Sequence, residues 1–302
     1  MKIYKDNGDI YYVVDGRGIE LESGADLGPH QDCKSVVGKR FSDGSFVYLK
    51  DTMGSDSTIV QAARVSYGKG TKSVSEDRNL LRYLMRHQHT TPFEMCEASW
   101  HAKMPIFVAR QWVRHRTASV NEYSMRYSEA LDTSWSPESW RSQSKTNKQG
   151  SDETTELDQH DCNSVFSNAV EDSYDVYEHL LTIGVAREQA RAVLPVASHT
   201  EWYWKCDLKN TLHFLKLRCD SHAQKEMRIF ADAMKDVLSS VFPSVMNAAE
   251  DYMFGSMSLS RLDILYMHKY YPETAFEDQD IFVNKREFGE CLAKYTRILG
   301  KE

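Results

Sequence analysis

Residues 110–128 read Arg-Gln-Trp-Val-Arg-His-Arg-Thr-Ala-Ser-Val-Asn-Glu-Tyr-Ser-Met-Arg-Tyr-Ser, and they constrain this chain more than any other stretch. Arg110, Arg114, Arg116 and Arg126 fall there with His115, and Glu122 is the one acid among them. The whole chain has a formal net charge of −7. A cationic cluster in an acidic chain is a local anion site, not part of a broad basic surface. Guanidinium forks interleaved with Gln111, Ser119, Asn121 and Ser124 suit a multiply charged phosphate ligand. A merely solvated basic strand or loop would not need Asn, Glu and Ser at fixed steps among arginines.

At 302 residues the chain can bury a real core as one or two domains. No apolar run approaches the roughly 20 residues that span a bilayer, so no membrane segment is expected. The start, Met1-Lys2-Ile3-Tyr4-Lys5-Asp6, lacks the apolar centre of a signal peptide, which makes the cytoplasm the expected location. The six cysteines (Cys33, Cys96, Cys162, Cys206, Cys219, Cys291) are scattered with no Cys-x-x-Cys pair. That pattern fits free thiols in a reducing compartment, not a disulfide framework or a zinc site.

Periodicity outlines the elements. Lys2 to Val14 alternates around Asn7-Gly8, a hairpin signal. Gly16 to Ser45 is rich in Gly, Asp and Ser and reads as loops. Phe46 to Leu49 reads as a strand, and Ser57 to Val65 as a short helix ending near Ser66. Glu76 to His87 carries Leu80, Leu81, Leu84 and Met85 at helical spacing, which predicts a helix with one buried face. Glu97 to Lys103 reads as a strand, whereas Ile106 to Arg114 suits a helix or a strand. Lys145 to Asp161 is polar and reads as an exposed loop. Helices are expected over Val165–Ile183, Arg187–Leu194, Leu208–Leu217, His222–Leu238 and Val245–Met253, with Pro195 and Pro243 as stops. The tail from Ser258 to Glu302 reads as partly helical.

Three further clusters carry chemistry. His87 and His89 are two apart, so they do not share a helix face, and no Cys or carboxylate stands at ligand spacing. No metal is expected, and helix-end or pocket histidines are the reading. Arg187 and Arg191 share one face of a short helix, which alone fits a salt-bridged surface. Leu208, Leu212, Phe214 and Leu215 form an apolar face ahead of Arg218, more like core than a cofactor box.

Arg114-His115-Arg116, followed eight positions later by Ser124, resembles the signature of the flavin-dependent thymidylate synthases. Asn121, Glu122, Arg126, Tyr127 and Ser128 also match that family's pattern, which makes the motif far more specific than a lone glycine fingerprint. Further matches are Ala62-Ala63-Arg64-Val65-Ser66, His89 with Thr91-Pro92-Phe93-Glu94, Arg187 to Pro195, and Phe214-Leu215-Lys216-Leu217-Arg218 before Ser221-His222-Ala223-Gln224. The matched elements run from about Val47 to Gln224.

The resemblance implies an α+β protomer, a small antiparallel sheet flanked by long helices, in an intertwined homotetramer whose active sites borrow residues from neighbouring subunits. It divides the chain into an N-terminal extension (1–45), a core (46–242) with an insertion near 130–161, and a C-terminal helical extension (243–302). It implies a dUMP site of Gln111, Arg114, Glu122, Tyr123, Ser124, Met125, Arg126, Arg191 and Arg218. Its FAD set is Ser66, Thr91, Glu94, Arg114, His115, Arg116, Glu122, Asp207, Lys209 and His213. Arg218, Ser124 and His89 take the catalytic roles, with Arg218 favouring the ionised uracil ring. Many relatives carry Asn where this chain has Asp207 and Arg where it has Lys209.

The reaction implied is reductive methylation of dUMP to dTMP, with methylenetetrahydrofolate as carbon donor, FAD as hydride carrier and NADPH as reductant. The chain has no Gly-x-Gly-x-x-Gly loop, so arginines must hold the phosphates. Ser124 lacks an adjacent base held by a third group, so it reads as a substrate contact and not a nucleophile. Two competing readings stand beside this one. A nucleic-acid-binding module is disfavoured by the acidic balance. A diverged protein that binds flavin and nucleotide without turnover is the other.

Overall fold

A computed structural model describes residues 2–6, 9–13, 37–65, 74–130, 133–145, 150–152, 157–264 and 282–298. The expected hairpin is present: β1 (Lys2–Asp6) and β2 (Asp9–Val13) pair antiparallel with Asp6 opposite Asp9. Asn7 and Gly8 themselves lie outside the described residues, as does most of the expected loop from Gly16. The end of that loop is corrected. Val37–Arg40 forms β3, paired to β2 on one side and to β4 (Phe46–Met53) on the other. The Gly and Asp content there marks only the turn between β3 and β4. Gly44 sits at φ +81°, a conformation a side chain disfavours, and the Ser45 amide donates to Asp43 Oδ1.

The sheet has seven strands in the order β1-β2-β3-β4-β5-β9-β6, with every pairing antiparallel. Here β5 is Glu97–Pro105, β6 is Ser119–Glu122 and β9 is His199–Asp207. A small separate pair joins β7 (Ser142–Gln143) to β8 (Ser151–Asp152), the latter within the stretch expected to be loop. In the central register Trp100 faces Trp204 and Ala102 faces both Val47 and Trp202. Side chains alternate across a strand, so Val47, Leu49, Ala98, Trp100, Ala102, Met104, Trp202, Trp204 and Cys206 share one buried face.

In chain order the helices are α1 (Asp56–Arg64), α2 (Val74–Arg86), α3 (Thr91–Glu94), α4 (Ile106–Trp112), α5 (Gln159–Thr182), α6 (Arg187–Ala190), α7 (Leu208–Arg218), α8 (Lys225–Val241), α9 (Pro243–Ala249) and α10 (Lys285–Ile298). Of these, α4, α7 and α8 pack on that buried face. The open reading of Ile106–Arg114 resolves to a helix, because Val108, Ala109 and Trp112 must face the core together. Trp112 is fully buried and stands edge-on to Trp202 and Trp204, each 5.7 Å away, and 5.0 Å from Phe214. Such aromatic pairs are worth roughly 0.5–1.5 kcal/mol beyond the area they bury.

Several boundaries move for local reasons. Asp158 accepts from the amides of His160 and Asp161 and so starts α5 at Gln159, inside the expected loop. The helix expected over Arg187–Leu194 ends at Ala190 and tightens into a 3-10 turn, Arg191–Val193. Leu194, ahead of Pro195, is extended, as a residue before proline prefers. Pro243 opens α9 as well as closing α8, and Asp56 of α1 accepts from the Ser244 and Val245 amides at the start of α9. A π-helical turn, Glu250–Phe254, follows α9. Among the described residues no helix is long and apolar enough to cross a membrane.

Candidate active site

The helix α2 ends in a turn that places His89. The Gln88 amide donates to the Met85 carbonyl and the His89 amide to the Leu84 carbonyl, with Gln88 at φ +56°. This is the Schellman arrangement with Gln where glycine is usual. A side chain in the left-handed region costs about 1–2 kcal/mol, so the turn holds stored strain. It is also a turn that opens a cleft. His89, Thr90 and Thr91 line a cavity of about 1140 Å³ with Ala62 to Val65 of the α1 end and Tyr83 of α2. Ser66, the residue expected to approach the flavin from that end, lies outside the described residues.

An adjoining cavity of about 250 Å³ shares Gln88, His89 and Thr90 and adds Lys209, His213 and Tyr252. The two clefts therefore meet at the His89 turn, and between them they contain His89, Thr91, Lys209 and His213 of the expected residues. Glu94 is half-buried in α3, next to the buried Phe93. Asp207 has a structural task. It is the N-cap of α7: one carboxylate oxygen takes the Asn210 amide at 2.8 Å and the other its side-chain amide at 2.6 Å.

Next to His213 of the smaller cleft, whose ring lies 6.1 Å from that of His115, is an arginine–histidine pair. Arg218 Nε donates to His115 Nε2 at 3.0 Å, and Arg218 Nη2 donates to the Gln111 carbonyl at 3.1 Å. Burial, with Arg218 and His213 nearby, pushes the His115 pKa down to about 4. The ring is thus neutral, with its proton on Nδ1, leaving Nε2 to accept. Burial and the neighbouring Arg114 lower the Arg218 pKa, yet a guanidinium stays charged at any working pH. Arg114 and Arg116 stand exposed in the turn after α4.

The rest of the expected nucleotide set follows β6. Glu122 Oε1 accepts from Thr200 Oγ1 at 2.6 Å across the β6–β9 pairing. Ser124 closes a turn whose carbonyl takes the Tyr127 and Ser128 amides, and its Oγ accepts the Arg126 amide at 3.4 Å. Among the described residues no histidine or carboxylate hydrogen-bonds that hydroxyl. The Tyr123 hydroxyl donates to the Glu129 carbonyl, and Met125 is half-buried. Arg126 lies 3.7 Å from Glu188 of α6, one turn ahead of Arg191, so the two arginines approach the same loop. Neither of the two clefts includes Ser124, Arg126 or Arg191.

Two contributors stand outside the expected site set, Thr200 outside every motif and Gln224 inside one without an assigned role. Thr200 anchors Glu122, and Gln224 accepts from the Gln111 side-chain amide while donating to Glu226. The alternation of Trp202, Trp204 and Cys206 with Glu201, Tyr203 and Lys205 is the signal that would have marked β9 and drawn attention to Thr200.

A fixed arginine beside a histidine, clefts walled by Tyr83 and Tyr252, and an antiparallel sheet in a sequence with no Gly-x-Gly-x-x-Gly motif fit an anion-binding protein outside the Rossmann class. The family model for the thymidylate synthase complementing protein matches residues 48–244. A flavin-dependent thymidylate synthase of Wolbachia pipientis wMel is 48% identical over 257 residues, covering 83% of this chain and 89% of that one. One from Dictyostelium discoideum is 50% identical over 232 residues, covering 74% and 77%. Among solved structures, the UMP/dUMP methylase PolB from Streptomyces cacaoi bound with 5-Br dUMP aligns with a TM-score of 0.65 and 32% identity, over 70% of this chain and 96% of that one. The chain belongs to the thymidylate synthase complementing protein family.

Proposed function

We propose that this protein methylates dUMP reductively to dTMP as a flavin-dependent thymidylate synthase. The observation that carries the reading is the Arg218–His115–Gln111 constellation, a fixed cation held beside the clefts in a chain of this family. dUMP, methylenetetrahydrofolate, NADPH and a proton give dTMP, tetrahydrofolate and NADP+; bound FAD, once reduced by NADPH, would supply the hydride for the transferred carbon.

The residues present fit a flavin. The larger cleft is walled by Tyr83, Leu80, Leu84 and Pro92, apolar surface for a ring system, while His89, Thr90 and Thr91 offer polar edges. Thr91, Glu94, Arg114, His115, Arg116, Glu122, Asp207, Lys209 and His213 would hold FAD, joined by Ser66. The dUMP phosphate would be held by Ser124, Arg126 and Arg191, with Gln111, Arg114, Glu122, Tyr123 and Met125 around the nucleoside. Arg218 stabilises negative charge on the uracil ring, since its geometry is fixed before substrate binds. His89 stands at the junction of the two clefts, where the pyrimidine and the flavin ring would meet.

No enzyme nucleophile is needed. Burial pushes the Cys96 thiol up to about 11 and the Cys206 and Cys219 thiols to about 12, so none of these three offers a thiolate. Among the described residues no base hydrogen-bonds the Ser124 hydroxyl. Ser124→Ala is expected to retain dTMP synthesis; complete loss of turnover with dUMP binding intact would count against this mechanism.

The assembly we propose is a homotetramer with shared sites. Two features support it. The nucleotide arginines stand apart from both clefts, and the 24-residue helix α5 buries only Tyr177 while exposing Val165 and Val176. A long helix gains most of its stability from packing its apolar face. The catalytic unit is residues 46–242 with its insertion near 130–161, flanked by extensions at 1–45 and 243–302, and the protein works in the cytoplasm.

Anaerobic dTMP formation with dUMP, methylenetetrahydrofolate, FAD and NADPH, each omitted in turn, tests the function. Product that requires FAD and NADPH is the expected result. A folded, yellow, dUMP-binding protein that makes no product would leave only flavin and nucleotide binding.

A further inference from the structure

The helix that delivers His89 to the clefts is tied on its other side to α10, which lies beyond the family match at residues 48–244. Arg82 of α2 and Glu287 of α10 are each 3% exposed. Arg82 Nε donates to Glu287 Oε1 at 2.7 Å and Nη2 donates to Oε2 at 3.3 Å. The same guanidinium donates to the Asn247 side-chain oxygen and the Tyr252 hydroxyl and pairs with Asp251 at 2.7 Å. Burying two charges costs several kcal/mol per ion, and only such full satisfaction offsets it. The pair therefore contributes geometry more than net stability: it allows α10 one register on α2.

One turn further along, that register brings Glu290 to the end of α2. Arg86 Nε donates to Glu290 Oε2 at 2.5 Å, and His87 Nε2 lies 2.9 Å from the same oxygen. Arg86 is the last residue of α2, and the next is the start of the strained turn. Gln88 in the left-handed region would relax if the chain on either side were free. On one side Glu290 holds Arg86 and His87, with Arg86 also paired to Glu287 and bonded to Tyr252, so His87 has its carboxylate partner in Glu290; on the other side stands the His89 amide bond to Leu84.

We propose that Glu290, set in place by the Arg82–Glu287 pair, is a positioning residue that clamps Arg86 and His87 and so keeps the Gln88 turn wound and His89 aimed into the clefts. The expected consequence for FAD rests on reading those clefts as the flavin site; the clamp itself does not. The C-terminal helix is then a brace for the active site built from outside the family's matched region.

The test uses the full chain as Glu290→Ala and Glu290→Gln, with the exposed Lys294→Ala as control. Amide hydrogen exchange of residues 87–91 is followed without ligand, and FAD affinity is titrated separately. In Glu290→Ala the His89 amide should exchange about tenfold faster or more, with β5 and β9 unchanged. Its FAD Kd should rise about tenfold, a loss of about 1.4 kcal/mol. Glu290→Gln keeps an acceptor for Arg86 and should recover most of both. Parent-like exchange at His89 in Glu290→Ala would overturn the clamp. Loss of protection in β5 and β9 as well would overturn it too, since Glu290 would then be a scaffold residue. A parent protein that binds no FAD would sink the flavin reading alone, and the exchange result would still decide the clamp.

Discussion

Arg218 and His115 share a hydrogen bond of 3.0 Å in which the arginine donates and the neutral imidazole accepts. The bond fixes the guanidinium plane, and the Gln111 carbonyl fixes it a second time. A lysine offers a point charge on a flexible stem and cannot satisfy both partners in that plane. Arg218→Lys should therefore lower kcat by about 10²- to 10³-fold, the usual loss for a fixed oxyanion donor. FAD affinity should change little. Steady-state dTMP formation checks this, and a Lys variant within tenfold of the parent would contradict it.

His115 also gives folding a pH dependence of definite sign. Its pKa is about 4 in the folded protein against 6.5 ordinarily, with burial the main cause. Between those values the unfolded chain binds a proton that the folded chain refuses, so this contribution grows as pH rises from about 4 to about 6.5 and is flat above. It is lost as pH falls through that window. Urea melts of the parent and His115→Asn should diverge with rising pH across the window and run parallel above it. Parallel curves throughout would mean that folding leaves the His115 pKa at its ordinary value.

Thr200 and Glu122 form the second testable pair. Thr200→Val keeps the branched shape that suits a strand but removes the hydroxyl that holds Glu122 Oε1. A hydrogen bond to a charged group is worth about 1.5–3 kcal/mol, so kcat/KM for dUMP should fall roughly ten- to hundredfold. Thermal stability should fall much less than activity. An unchanged kcat/KM would show that Glu122 needs no anchor.

Gln88 stores strain that glycine would relieve. Gln88→Gly should raise stability by up to about 1 kcal/mol, the left-handed penalty less the added freedom of glycine in the unfolded chain. Because Gln88 lines both clefts, FAD affinity should fall even as the melting temperature rises. A lowered melting temperature would mean that the Gln88 side chain contributes more by packing than its backbone costs.

The hairpin at β1–β2 and the helices α2, α7 and α8 were all legible from residue order. Each is written in a short window: alternation for a strand, apolar residues three and four apart for a helix. β6 was not legible, because Ser119 to Glu122 are all exposed and carry no apolar alternation; the segment is a strand because β9 pairs with it. Asp207 shows the limit from the other side. The family resemblance marks it as a flavin contact, but nothing in the order of residues shows that its two oxygens also hold Asn210 at the start of α7.

Local covalent geometry repeats every two or 3.6 residues, so the type of the strongly periodic elements could be read from the order of residues alone. Which residues meet is a different matter. His115 and Arg218 are 103 positions apart, Glu122 and Thr200 78, and Arg82 and Glu287 205. These contacts exist only once the sheet register, the docking of α10 and the burial of charge are settled together. Such long-range pairings leave no period in the chain, and tertiary packing alone decided them.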